Sequence, residues 1–164
     1  MLWTLLLAGL VLTVALPSQA AAQVRELPDP GRTPGVIAST DEADVCGVVD
    51  GLTYSARHRK TSERMKSQVR ALYNATSCGE IDHRLELSLG GADDVRNLWC
   101  QPGPEEAVWN YKLKDRLETY LWRTVCKRHE MVITEAQAVF LAPDWRPAYC
   151  EFIGGPPCDG FPQP

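Results

Sequence analysis

Several features are missing from this 164-residue chain, and each absence narrows what it can be. No two cysteines form a Cys-x-x-Cys pair, which disfavours a structural zinc ribbon or knuckle. No charged side chain precedes Arg25, and beyond Leu2–Leu16 no stretch is apolar and long enough to span a bilayer. There is no internal repeat and no low-complexity tract, so a repeat array is excluded. An excess of cationic residues is missing too. The 17 Lys and Arg are outnumbered by 21 Asp and Glu, for a net charge of −4. A protein of this balance does not attract nucleic acid through its overall field.

What is present begins with an export signal. Leu2–Leu16 is almost wholly apolar, and Ser18-Gln19-Ala20-Ala21-Ala22 supplies the small residues that signal peptidases accept. The expectation is a signal peptide over residues 1–22 and a secreted or periplasmic mature protein. Roughly 140 residues would remain, enough for one domain with a true core. All six cysteines (Cys46, Cys78, Cys100, Cys126, Cys150 and Cys158) fall in that mature part. An even number in an exported chain reads as up to three disulfides whose pairing sequence leaves open, with Cys150 and Cys158 able to close a small loop.

Residues 23–44 read as an extended arm, residues 45–150 as the folded domain and residues 151–164 as a Pro/Gly/Cys tail. Thr61 or Ser62 is placed to cap a helix through about Tyr73, with Met65, Val69 and Leu72 on one face. Between Arg57 and Arg70 lie six basic residues (Arg57, Arg59, Lys60, Arg64, Lys66 and Arg70) against the single acid Glu63. Such a patch can grip a phosphate backbone within an acidic protein, or simply form a solvated helix face. Ile81, Leu85, Leu87 and Leu89 alternate, which predicts a strand over Glu80–Leu89. Gly90-Gly91 is the turn and Asn97–Gln101 the returning strand. A helix is expected from Pro104 to about Val125, with Trp109, Leu113, Leu117, Tyr120, Leu121 and Thr124 on one stripe. Thr134-Glu135-Ala136-Gln137 predicts the capped start of a last helix that Pro143 stops.

The chemistry concentrates in Glu80-Ile81-Asp82-His83. An aspartate can hold a divalent cation, and a neutral imidazole beside it can take a proton from water. A flat strand would point the two side chains to opposite faces, so serving one ion requires a twist or bulge. Hard oxygen ligands suit Mg, Ca or Mn, and mixed oxygen and nitrogen ligands admit Zn or Ni, with Mg the first choice.

Asp82-His83, Gly90-Gly91 and Asn97-Leu98-Trp99, in that order and spacing, resemble the HNH nuclease family, which is built on the ββα-metal finger. The likeness continues through Lys114-Asp115-Arg116-Leu117-Glu118, Val125-Cys126, Glu135-Ala136-Gln137 and Asp144-Trp145. Upstream it takes in Thr33-Pro34-Gly35 and the Cys46–Arg57 region. It covers about Leu27 to Tyr149 and is similar to a group of secreted bacterial HNH-type proteins.

The resemblance implies an α+β fold, an HNH-like finger embedded in a small helical, disulfide-braced domain. It implies metal-dependent hydrolysis of DNA or RNA phosphodiesters with little sequence preference. His83 would be the general base, Asp82 a metal ligand, and Asn97 the residue that ties the hairpin loop through backbone hydrogen bonds. The helix position that in the family carries His or Asn has no histidine here. Asn110 is one candidate for it and Asp115 the other. Lys114, with Lys112, Arg116 and the basic patch, would position the nucleic-acid backbone of a monomeric enzyme. The alternative from another class is a non-catalytic exported binding or structural protein that keeps the scaffold.

Overall fold

The computed structural model describes residues 25–161; the expected signal peptide lies outside the described residues. The fold is mixed α+β, with two small antiparallel hairpins among short helices. In chain order these are α1 (Glu42–Cys46), β1 (Val48–Val49), β2 (Leu52–Thr53), α2 (Tyr54–His58) and α3 (Glu63–Tyr73). They are followed by β3 (Glu80–His83), β4 (Leu98–Gln101), α4 (Tyr111–Arg123), α5 (Ile133–Leu141) and α6 (Arg146–Phe152).

Helix α3 forms where the pattern predicts. The Ser62 side chain accepts from the Met65 amide at 3.2 Å, and Asn74 ends the helix in the left-handed region at φ 51°. Its inward face, Val69 and Tyr73, packs on Leu98 and Trp99 to make the smaller of two cores, whereas Leu72, expected on that face, is exposed. The larger core gathers Leu117 and Leu121 of α4 with Phe140, Trp145 and Tyr149. Each such Leu or Phe contributes about 1.5–3 kcal/mol by burial.

The predicted long strand over Glu80–Leu89 is overturned. Pairing with β4 runs from Glu80–Gln101 to His83–Leu98 and stops there. Leu85, Leu87 and Leu89 are buried as expected, but from a bend and a 3₁₀ turn at Leu87–Leu89. The reason is Asn97, which is fully buried. Its Oδ1 accepts from Leu85 N at 3.0 Å, and its Nδ2 donates to Leu85 O and Ala92 O, both at 2.8 Å. A side-chain amide thus satisfies the backbone that further strand pairing would have satisfied. The glycine turn has no room for side chains. A Cβ on Gly91 would lie 2.0 Å from Leu85 O, and Gly90 adopts φ 82° with a virtual Cβ 2.3 Å from Ser39 O.

Helix α4 begins later than predicted. Residues 104–106 form a turn in which Glu106 Oε2 accepts from Gly103 N at 2.6 Å. Trp109 is then drawn edge-on against Trp145 and Tyr149, both at 5.6 Å between ring centroids. The helix restarts at Asn110, which is extended at φ −129°. After Arg123 the chain widens into a π-turn at Thr124–Arg128. Helix α5, by contrast, starts earlier than predicted, one residue before Thr134, with Val132 as its cap. The Val132 amide donates to Glu135 Oε2 at 3.3 Å.

The arm is pinned across the surface. Thr33 Oγ1 donates to Leu98 O at 3.0 Å and meets Tyr73 Oη at 2.8 Å, while Ile37 bridges to Gly91. Arg84 fastens the arm to the domain by donating to Thr33 O (2.7 Å), Phe140 O (3.0 Å), Leu141 O (2.6 Å) and Ala142 O (3.0 Å). All six cysteines are paired, as Cys46–Cys126, Cys78–Cys100 and Cys150–Cys158. Cys46–Cys126 closes a separation of 80 residues, a constraint on the unfolded chain of about 4.5 kcal/mol in the chain-entropy description. Among the described residues no helix is long and apolar enough to cross a membrane.

Candidate functional site

Asp82 and His83 are successive residues at the end of the paired strand β3, and both are buried. One ligand atom from each of Asp82, His83 and Glu86 falls within 4.8 Å of the others. A second trio of the same closeness joins Asp82 to Asp115 and Glu118 of α4. Asp82 belongs to both. The acids line a cleft of about 490 Å³, with Glu80, Asp82, Glu86, Asp115 and Glu118 on its walls and Arg59 at its rim.

His83 is nearly fully buried, at 1% exposure. Its Nε2 lies 3.0 Å from Asp93 Oδ1. Asp93 is held in turn by the Thr61 hydroxyl at 2.6 Å and by the Lys60 amide. Burial alone would raise the Asp93 pKa, but these donors and His83 outweigh it and hold the carboxyl below its usual range. An ionised carboxylate only accepts, so Nε2 carries a proton and Nδ1 is the second ring nitrogen. That Nδ1 is buried and has no hydrogen-bond partner among the described residues.

Lys114 overturns its expected role on the nucleic-acid face. It sits on the buried side of α4, 1% exposed. Its Nζ donates to Asp82 Oδ2 and His83 O, both at 2.6 Å, and to Glu118 Oε1 one helical turn on. Burial disfavours its charge, but Asp82, Glu118 and Glu86 outweigh that and push its pKa up. Glu118 is pushed well up by burial, against the pull of Lys114. Asp115 and Glu80 are also raised, by burial first and by the charge of Asp82 second.

The two candidates for the helix ligand separate. Asn110 caps α4: its Oδ1 accepts from Lys112 N at 3.1 Å, and its Nδ2 donates to Ala107 O (3.1 Å) and Val108 O (2.9 Å). Its polar atoms are spent on backbone, whereas Asp115 faces the cleft with Asp82.

The basic patch is partly neutralised. Arg57 is paired with Asp44 at 2.8 Å, Arg59 with Glu86 at 3.4 Å and Lys66 with Glu63 at 2.8 Å. Arg64 and Lys60 are exposed.

Sequence reasoning missed Asp93, Glu86, Glu118 and the burial of Lys114. Glu118 could have been found from its spacing four residues after Lys114, and Glu86 from its place three residues after His83. Asp93 carried no local signal beyond being an acid next to the glycine turn.

The donor set suits a divalent cation in part. Asp82, Glu86 and His83 offer hard oxygens and an imidazole nitrogen, while the Asp82–Glu118 side already holds the Lys114 ammonium. No protein-family model, curated protein or solved structure matches this chain.

Proposed function

We propose that β3, β4 and α4 form an HNH-like ββα-metal finger, and that the protein is an exported, metal-dependent endonuclease cutting DNA or RNA with little sequence preference. The observation that carries this reading is the oriented histidine. Asp93 accepts from Nε2 and leaves Nδ1 unpartnered, and a ring nitrogen of His83 lies within 4.8 Å of a carboxylate oxygen of Asp82 and of Glu86. Asp82, with Glu86 on one side or Asp115 on the other, would hold a divalent cation, Mg first. When bound, the cation supplies charge stabilisation at the scissile phosphate. His83 Nδ1 accepts the proton of the attacking water. Asn97 holds the loop that carries Leu85 and Ala92 and so keeps the His83 end of the strand in place. The three disulfides fit an oxidising compartment, which agrees with the export expected from the N-terminal sequence.

The test is incubation of the oxidised protein with plasmid and with RNA, with Mg²⁺, with Mn²⁺ and in chelator. Metal-dependent cleavage that falls about 10²–10⁴-fold in His83→Ala, with the circular dichroism spectrum retained, supports the reading. Intact substrate under every metal, from a folded protein, refutes it.

A second reading is a non-catalytic exported scaffold. Two observations favour it: His83 is almost sealed from solvent, and the Lys114 ammonium already neutralises Asp82 and Glu118. On that reading no substrate is cut under any metal, and His83→Phe costs the Nε2–Asp93 bond, about 1.5–3 kcal/mol, with no further consequence.

A further inference from the structure

Behind the acidic cleft, on the outer face of α4 and its π-turn, lies a groove of about 710 Å³ with the opposite character. Arg116, Arg123, Lys127 and Arg128 line it, interleaved with Tyr120 and Trp122. Cations lie over the aromatic faces: Lys127 Nζ is 5.1 Å from the Trp122 ring centroid and Arg128 Cζ 4.8 Å from that of Tyr120. Arg128 is paired with Glu130 at 3.3 Å. Among the described residues Arg116, Arg123 and Lys127 have no carboxylate within 4.0 Å. In a chain of net charge −4, concentrating uncompensated cations on one groove is a local departure from the overall field.

The groove is continuous with the cleft. Asp115, Thr119, Trp122 and Arg123 line both, so Trp122 stands at their junction. We infer that this groove binds a single-stranded nucleic acid, with Arg116, Arg123 and Lys127 on its phosphates and a base stacked on Trp122, leading the strand into the cleft. The inference rests on the nuclease reading for its direction but not for its binding chemistry. Alternation of cations with partly exposed aromatic faces suits unpaired bases, whose π-faces are accessible, whereas a duplex presents only phosphates to such a surface.

The experiment is equilibrium binding of fluorescein-labelled oligo-dT and oligo-rU to the wild-type protein in chelator, where no cleavage interferes, across a salt series. Micromolar or tighter binding of at least one single strand is expected, with a matched duplex bound at least about 10-fold more weakly. The Arg116→Ala, Arg123→Ala, Lys127→Ala triple variant should reduce the salt slope by about 2, since each lost phosphate contact removes about 0.7. Strand binding should quench tryptophan fluorescence in the wild type but not in Trp122→Phe. Equal duplex affinity, an unchanged salt slope in the triple variant, or quenching that persists in Trp122→Phe overturns the inference. Strand binding without cleavage under any metal would sink the nuclease reading and leave the groove standing. Metal-dependent cleavage without groove-dependent binding would do the reverse.

Discussion

Replacing Lys114 with methionine keeps the aliphatic stem but deletes a buried ammonium bonded to three oxygens. Asp82 and Glu118, exposed to only 7% and 6%, would then face each other without the charge between them. Breaking a buried ion pair by removing one partner costs about 3–5 kcal/mol, because the remaining charge stays buried. At roughly 3 °C per kcal/mol for a chain of this size, Tm should fall by about 10–15 °C. The pH dependence has a definite sign. Glu118, already pushed up by burial, should rise further in the variant. A carboxyl with a raised folded-state pKa costs no stability below its unfolded value of about 4.3 and costs progressively more as pH climbs through the folded value. The deficit of the variant should therefore be largest near neutrality and shrink toward pH 4. In the wild type, the raised Lys114 contributes fully below about pH 10.4 and loses that contribution only as pH rises beyond it. A divalent cation able to take the ammonium's place should stabilise the variant: Mn²⁺ at about 100 times its Kd for the variant adds about 2.7 kcal/mol. Thermal and urea unfolding followed by tryptophan fluorescence measure all three effects. A variant within about 1 kcal/mol of wild type at pH 7, or a deficit unchanged at pH 4, would refute the electrostatic account.

Other perturbations follow from the same structure. Arg84→Met leaves four carbonyls without their shared donor and should cost about 3 kcal/mol in urea unfolding, with earlier proteolysis in the arm around Thr33. A loss under about 1 kcal/mol would show that the arm is held by other means. Asn97→Asp cannot donate to Leu85 O and Ala92 O, so a cost of about 2–3 kcal/mol and faster hydrogen exchange at the Leu85 amide are expected. Asp93→Asn should release the His83 tautomer, visible in the imidazole ¹⁵N shifts. The depressed Asp93 carboxyl contributes stability that is full above about pH 3.9 and is lost as pH falls through its folded value. Wild type and Asp93→Asn should therefore differ at pH 7 and converge in strong acid.

Much of the local architecture could be read from the chain. Ser62 and the Met65, Val69 spacing place α3 within a residue. Gly90-Gly91 marks a turn whose close packing admits no side chain. Alternation over Ile81 to Leu89 correctly identified inward side chains but not their backbone. A period of two says which residues are buried, and Asn97 decided that a 3₁₀ turn would bury them. The start of α4 was misread for a similar reason. Pro104 with two glutamates is a good local helix opening, yet burying Trp109 among Trp145 and Tyr149 outweighed it.

The amino-acid order alone determined which segments are amphipathic, where the turns lie, and that Asp82 and His83 stand together next to a glycine turn. Those properties depend on neighbours within a few positions, through backbone sterics and the spacing of apolar side chains. Only the folded chain decided the cysteine pairing, the orientation of His83 by Asp93 and the burial of Lys114. Lys114 is 32 residues from Asp82 along the chain. Although it shares the helical stripe of Leu117 and Leu121, nothing local supplies the Asp82 carboxylate that lets it be buried there. A charge's energy depends on its dielectric surroundings and its distance to other charges, and both come into being only when distant segments pack together.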